Sequence, residues 1–535
     1  MNICYGALLE AVSIQNYIFQ SNTLKTNMGA SHLIQNEIFF SYLQKAVTEV
    51  FTKGYDFAWE SWQKNPNEIN IYNDPFEIGY IGGGNALLLF QEKDKAKKVI
   101  EAWSRLLLIH APGVITTVAT GPFEPDRFKK SLSDLFLLLK ENKAKYIPQT
   151  VIPRHGITAE CVQSGLSAEV LLVHDKDEKE YLSSVSFAKI DAAKNSRNYF
   201  HDKFKRELNN IFCFPSEFEK LGSISGEDSH IAVVHVDGNR MAKRFQDVDS
   251  LNDMRKLSIS VHKATTEAFS ELLTHVVDNY EQIMKEDLGF DPSIREDRFW
   301  YPMDQEYNNK CLPLTPIVIG GDDVTFVCDG RLGIYFAKRF IESFEKKEAS
   351  DRKKLTACAG IAIIKTKYPF YRGYQLSEEL CARAKNMNNK ETKPEKLISA
   401  LDFHVSMGGI FGNLKQIRNK HYRAPEGKLL YRPYKLIPAD TNDEKSLEKM
   451  VELAGQLRER FPRSKIKAIQ SVLSLSKDRH IDFVTETECR ERSLPEMPGI
   501  GYHKTIFANA ETIYFDMIEL TEFYPNHALA TKGEE

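Results

Sequence analysis

One succession of patterns occurs twice in the 535 residues, and few folds are open to a chain that repeats it. In the later copy, residues 231–236 (IAVVHV) form a short apolar run that reads as a buried strand. Over 249–286 apolar residues recur at helical spacing (Leu257, Val261, Ala264, Ala268, Leu272, Val276), with Asp249 or Ser250 available as N-cap. Two apolar runs, 316–319 and 324–328, flank a glycine turn and predict a hairpin. Then 333–347 predicts a helix, 355–364 a strand and 376–386 a closing helix. The earlier copy offers a strand over 3–9, a helical stretch over 29–51 and a hairpin over 79–90. A helix over 95–107, a strand over 114–119 and a helix over 131–142 complete it. The order β-α-β-β-α-β is a ferredoxin-like split βαβ, so the expected class is α+β with two such domains facing each other as a pseudo-dimer.

The hairpin turns differ between the copies. The later one reads Gly320-Gly321-Asp322-Asp323, and the preceding strand ends on Asp237-Gly238-Asn239. Glycines let the backbone turn sharply and let a triphosphate approach it. Paired carboxylates on one turn raise each other's pKa unless a cation neutralises them. Taken alone, such a turn is also an ordinary surface hairpin. Asp237 changes the weighing, because carboxylates from adjacent strands are what bridge two divalent ions about 3.5–4 Å apart in phosphoryl transfer. The earlier copy has Gly82-Gly83-Gly84-Asn85 at the turn and Glu10 at the place of Asp237. Glu10 and Gly84 are 74 residues apart, against 85 for Asp237 and Asp322, so the architecture is kept while the ligands are lost. Two facing pockets in one body would hold a donor triphosphate and an acceptor together; the first copy can equally serve as a packing partner.

A chain of this length has room for three or four domains, and 42% hydrophobic content is ordinary for a globular protein. The division expected is a degenerate first palm over 1–150, an inter-palm segment over 151–225, a second, catalytic palm over 226–405 and a mainly helical part over 406–535. No apolar run approaches membrane-span length and the N-terminus lacks a basic signal region, so a cytoplasmic location is expected. The eight cysteines form no CxxC pair and read as buried thiols of a reducing compartment. With a net charge of −3, any nucleic-acid contact must be local. Residues 415–435 interleave Lys415, Arg418, Lys420, Arg423, Lys428, Arg432 and Lys435 with Tyr422, Tyr431 and Tyr434. That pattern suits single-stranded RNA, but the preferred reading is an extended connection that packs its tyrosines inward, since charge runs are usually solvated faces. Helices are expected over 446–461 and 464–475, and residues 513–524 (IYFDMIELTEFY) read as a closing helix that needs a core to cover it.

Several motifs in order carry a family resemblance: EAVSIQNYIF and NMGASHLI in the first copy, then VDGNRMAKRF, IGGDDV, AGIAI, YPFYRGYQLSEELCARAK and DFH in the second. Together they resemble the large palm-domain polymerase subunit of type III CRISPR effector complexes, the "Cas ten" family. The resemblance implies a nucleotidyltransferase that turns ATP into cyclic oligoadenylate second messengers for antiviral defence. It implies catalytic, metal-binding carboxylates at Asp237, Asp322 and Asp323, holding two Mg²⁺ or Mn²⁺ ions. Gly320 and Gly321 would lie beneath the triphosphate, Gly238 and Asn239 near the nucleotide, and Lys385 against phosphate charge; as a helix-end lysine it can also merely serve the dipole. RNA and CRISPR-type protein subunits are the partners expected for the C-terminal part. The family's HD nuclease is not expected here, since His174-Asp175 and His201-Asp202 lack further ligands, nor is its zinc, since Cys161 stands far from Cys213. Two other readings stay open: a non-catalytic ATP- and RNA-binding scaffold, and a cyclic dinucleotide synthase of the diguanylate cyclase type, whose GGDEF signature occupies the same hairpin.

Overall fold

The computed structural model describes residues 4–51, 54–55, 71–145, 156–173, 179–222, 224, 229–304, 306–389, 391, 396–406, 412–437, 443–500 and 505–529. The first copy folds as a sheet of β1 (Cys4–Val12), β2 (Phe76–Gly82), β3 (Asn85–Phe90) and β4 (Ile115–Phe123) in the order β2-β3-β1-β4, every pair antiparallel. That is the split βαβ arrangement. The second copy repeats it with β5 (His230–Gly238), β6 (Leu314–Gly320), β7 (Asp323–Asp329) and β8 (Ala357–Lys365) in the order β6-β7-β5-β8.

The match extends to register. Glu10 lies opposite Asn85 and Asp237 opposite Asp323. Each turn hairpin carries one register shift, at Ile78/Tyr80 and at Pro316/Val318, the same number of residues before its turn. A bulge kept at one place in both copies bends both hairpins alike.

The helices α1 (Ile14–Phe19) and α2 (Leu24–His32) follow β1, so helix begins well before the expected residue 29; wide turns over Leu33–Ser41 lead into Tyr42–Val50. After β3 comes α3 (Lys93–His110), and after β4 comes α4 (Phe128–Ala144). The inter-palm segment contributes a hairpin, Val170–Val173 with Lys179–Leu182, and the long helix α5 (Ser184–Lys203), which packs on α2. A methyl group added at Gly29 would stand 1.8 Å from Lys189 O, so only glycine permits this approach. Beyond β5, α6 (Leu251–Asp278) begins at Ser250, whose hydroxyl accepts from Asp253 N–H at 3.1 Å.

Past α7 (Gly333–Glu345), the closing helix α8 (Phe370–Lys385) starts six residues before the expected Leu376, directly after Pro369. The second sheet then continues beyond the expected pattern. β9 (Ala400–Val405), which contains the DFH tripeptide, pairs parallel with β8, and β10 (Tyr434–Lys435) pairs with β9. The basic stretch therefore supplies a strand to the second palm.

Alternation along β5 assigns its two faces. Ile231 and Val233 join a core shared with the first palm, while Ala232, Val234 and Val236 join a core that continues into the C-terminal helices. The palms also clasp each other reciprocally, α6 against β2 and α2 against β6. Arg255 of α6 is buried and donates to Gly79 O (2.7 Å), Ile78 O (2.5 Å) and Glu77 Oε1 (2.8 Å), bracing the bulge of the first palm.

In the C-terminal part Leu447–Arg460, Arg463–Val472 and Lys477–Cys489 are helical, and the expected closing helix forms as α9 (Tyr514–Phe523). It is buried from Tyr514 to Leu520 because Arg432 meets its acidic side: the guanidinium donates to Asp516 Oδ1 at 2.7 Å and also to Glu519. Of the basic stretch, Tyr422, Tyr431 and Tyr434 are buried, and Arg418 is bidentate on buried Asp402. Those aromatic faces serve packing and present nothing to a nucleobase. Among the described residues no helix is long and apolar enough to cross a membrane.

Candidate active site

Both turn hairpins open into one cleft of about 1290 Å³ between the palms, larger than the roughly 300–1000 Å³ of a usual single-ligand site. Among the described residues its charged lining is three carboxylates, Asp237, Asp322 and Asp323, and three cations, Lys129, Arg240 and Lys385. Gly82 to Asn85 and side chains of α1 and α4 form the opposite wall.

Period-2 geometry sets the floor. Asp237 and His235 share one face of β5, as Asp323 and Thr325 do on β7, and cross-strand pairing puts Asp323 beside Asp237. The turn itself is two residues, Gly321 at φ +58° and Asp322, between the paired Gly320 and Asp323. A positive φ at the first position is where glycine is needed. Thr265 of α6 fixes the turn from behind by donating to Gly321 O at 2.6 Å, and Gly238 N–H donates to Asp322 O at 3.2 Å. A side chain at 238 would stand 2.9 Å from Asp322 Oδ2, so the glycine there makes room for the carboxylate.

The electrostatics are strained without a cation. Burial, then the charges of Asp237 and Asp323, push Asp322 up to about 7. Burial, then Asp237 and Glu378, push Asp323 up to about 8. Asp323 Oδ1 is buried with no hydrogen bond, facing His235 Nδ1 at 3.4 Å, and burial pulls that imidazole toward its neutral form. Hard carboxylate oxygens, one of them without a donor, suit Mg²⁺ or Mn²⁺. No choice of one oxygen from each of the three carboxylates brings all three within 4.8 Å of one another; ligands shared between two ions about 3.5–4 Å apart span more.

Lys385, at the end of α8, donates to Asp237 Oδ2 and to Gly238 O at 3.3 Å. Burial lowers its pKa, but the charge and hydrogen bond of Asp237, with Cys381 and Asp322 beside it, together outweigh this and hold it raised. Its expected phosphate contact is thus, in this conformation, an ion pair with a carboxylate. Asn239 departs further from expectation. It is buried, its amide donates to Thr356 Oγ1 (3.0 Å) and Ile398 O (3.1 Å), and it lies outside the cleft lining. It ties the end of β5 to its neighbours.

The first palm repeats part of this design with a pair that its sequence did not reveal. Lys143, near the end of α4, meets Glu10 Oε2 at 2.5 Å, as Lys385 at the end of α8 meets Asp237. The helix that follows the fourth strand thus returns a lysine to the acidic strand end in both copies. Sequence reasoning also missed Gln15, His235 and Glu378, whose relation to Asp323 depends on strand facing and on contacts between palms.

Elsewhere, among the described residues one further group can share an ion: Cys213, Asp304 and Cys311. Arg197 already supplies the positive charge there, pairing with Asp304 at 2.5 Å. Cys161 lies with Ser186 instead. His201 stacks on Tyr307, and His174-Asp175 falls outside the described residues.

Residues 230–393 match the family model described as Cas10/Cmr2, second palm domain. No curated protein sequence matches the chain. Among solved structures it is similar to the crystal structure of Csm1 in T. onnurineus, with TM-score 0.50 and 13% identity over 99% of this chain and 70% of that one. It is also similar to a Csm1-Csm4 cassette in complex with cA4 (TM-score 0.49, 11% identity, 97% of this chain and 70% of that one). A third is a Csm1-Csm4 cassette in complex with one ATP (TM-score 0.41, 13% identity, 99% and 70%).

Proposed function

From a chain whose residues 230–393 carry the second palm domain of the Cas10/Cmr2 family, we propose a metal-dependent nucleotidyltransferase that converts ATP into cyclic oligoadenylate or a related cyclic nucleotide messenger in type III CRISPR-like antiviral defence. The observation that carries this is the meeting of Asp237, Asp322 and Asp323 on adjacent strand ends, in a cleft whose far wall is a second palm.

Asp237, Asp322 and Asp323 would hold the ions. Two bound divalent cations supply the positive charge that phosphoryl transfer needs at the attacking hydroxyl and the leaving group. The chemistry joins a 3′-oxygen to an α-phosphorus, breaks the α–β phosphoanhydride and releases pyrophosphate, the hydroxyl proton passing to solvent. Gly320 and Gly321 keep the turn free of side chains beneath the triphosphate. Lys385, released from Asp237 once cations are present, is positioned to meet phosphate charge. Asn239, its amide held by Thr356 and Ile398, would keep the strand end in place. The size of the cleft supports donor and acceptor sharing it, the first palm offering the acceptor side without metal. We assign the first palm to 1–150, the inter-palm segment to 151–225, the second palm to 226–405 with β10 added from beyond it, and the helical part to 406–535. RNA and protein partners are assigned to surfaces other than the buried tyrosines of that part.

The test is incubation of the protein with labelled ATP or GTP and Mn²⁺, with and without RNA, beside Asp322→Ala. Phosphodiester products from ATP that vanish in the variant are expected. ATP that stays bound and intact would favour the scaffold reading, and products from GTP alone the diguanylate cyclase reading.

A further inference from the structure

The first palm reaches across the cleft to a ligand of the second. Gln15 Nε2 lies 3.4 Å from Asp323 Oδ2, although the two residues are 308 apart in sequence. On the second palm, the Tyr374 hydroxyl donates to Glu378 Oε1 at 3.2 Å.

Three elements hold Gln15 there. It stands on α1, whose Phe19 stacks on Tyr374 of α8 with centroids 3.6 Å apart and planes at 17°. Lys189 of the inter-palm helix α5 donates to Tyr17 O at 2.6 Å, fixing the same turn of α1. The side chain therefore depends on the first palm, the inter-palm helix and the second palm at once.

The chemistry of the contact is selective. An amide N–H restrains Oδ2 without neutralising it, whereas a lysine there would compete with a cation. The other oxygen, Oδ1, is left with no hydrogen bond. Oδ1 is itself buried against His235 Nδ1 at 3.4 Å, so the two contacts together fix the plane of the carboxylate, and an oriented carboxylate is what a metal ligand needs from its surroundings.

We infer that Gln15 is a positioning residue supplied by the metal-free palm, orienting Asp323 for a divalent cation so that the site is complete only when the two palms are closed on each other. This rests on the reading that Asp322 and Asp323 hold metal.

Mn²⁺ binding to the purified full chain, followed by EPR without nucleotide, tests it apart from turnover. Gln15→Met keeps the length of the side chain and removes the donor; Mn²⁺ affinity should fall by about 10-fold or more, the usual effect of losing a partner of a metal ligand. Gln15→Lys keeps a donor but adds charge; it should also weaken Mn²⁺ while raising the melting temperature of the metal-free protein. A purely structural role would lower the melting temperature of both variants and leave Mn²⁺ affinity as in the wild type, which would overturn the inference. Should Gln15→Met fail to fold, unchanged affinity in Gln15→Lys would do the same. Failure of the wild type itself to bind Mn²⁺ would bring down the metal reading first and this inference with it.

Discussion

Removing one carboxylate from the metal-free site should stabilise the protein, by an amount that grows with pH. Asp322 stands at about 7 in the fold against an ordinary 3.8, raised by burial and by Asp237 and Asp323. A raised acid binds its proton more tightly in the native state than in the unfolded chain, so native stability falls as pH rises between those two values. Below about pH 4 both states are protonated and the penalty is absent; above about pH 8 it is complete. At about 1.4 kcal/mol per unit the unscreened cost approaches ~4 kcal/mol. Because the carboxyl opens onto a solvent-filled cleft, about 1–2 kcal/mol is the realistic share. Asp322→Asn removes the charge and nearly keeps the shape. In EDTA its melting temperature should equal that of the wild type at about pH 4 and exceed it by roughly 2 °C at pH 8, judged from the usual scaling for large domains. Added Mn²⁺ should close the gap by stabilising only the wild type. A variant less stable than the wild type at pH 8 without metal, or a gap that shrinks as pH rises, would refute the charge-repulsion account of this turn.

Gly238→Ala places a methyl 2.9 Å from Asp322 Cβ and Oδ2 and 2.7 Å from Met241 Cγ. It should cost about 1–3 kcal/mol of stability as overpacking, and labelled-ATP turnover at a temperature where the variant is fully folded should still drop, because the carboxylate itself must shift. Arg255→Met strands buried Glu77 and the carbonyls of Ile78 and Gly79. A loss of about 3–5 kcal/mol is expected from breaking a buried pair, seen as an early melting transition, and the double variant with Glu77→Gln should lose less than the two single losses combined.

The repeated palm was legible because its signals are local. Alternating apolar runs, glycine turns and helical spacing each occupy one short window, and the equivalence of Glu10 with Asp237 emerged as the shared register opposite Asn85 and Asp323. What escaped depends on partners far along the chain. The basic stretch packs its tyrosines inward, the reading preferred from sequence, but the partner that fixes them was not legible: Asp516, brought by a helix some 80 residues later, accepts from Tyr434 and Arg432. Asn239 follows the strand end like a ligand, yet Thr356 and Ile398 claim its amide. The start of α8 was misplaced because YPFYRG lacks helical periodicity, while the packing of Phe370 and Tyr374 on the first palm supplies the reason to be helical.

Charge counting separates the two palms. In the first, a single carboxylate, Glu10, meets a single lysine, Lys143, and the turn offers only glycine and Asn85, so the strand ends are balanced by the chain itself. In the second, the equivalent lysine is ion-paired with Asp237, and burial with the neighbouring carboxylates still holds Asp322 and Asp323 raised. Two residues of one turn, Gly84 and Asn85 against Asp322 and Asp323, therefore separate a frame neutralised by its own lysine from one that keeps two carboxylates raised by burial and mutual repulsion. The bulge, the register and the returning lysine are shared by both copies, which puts the difference in chemistry on those two carboxylates.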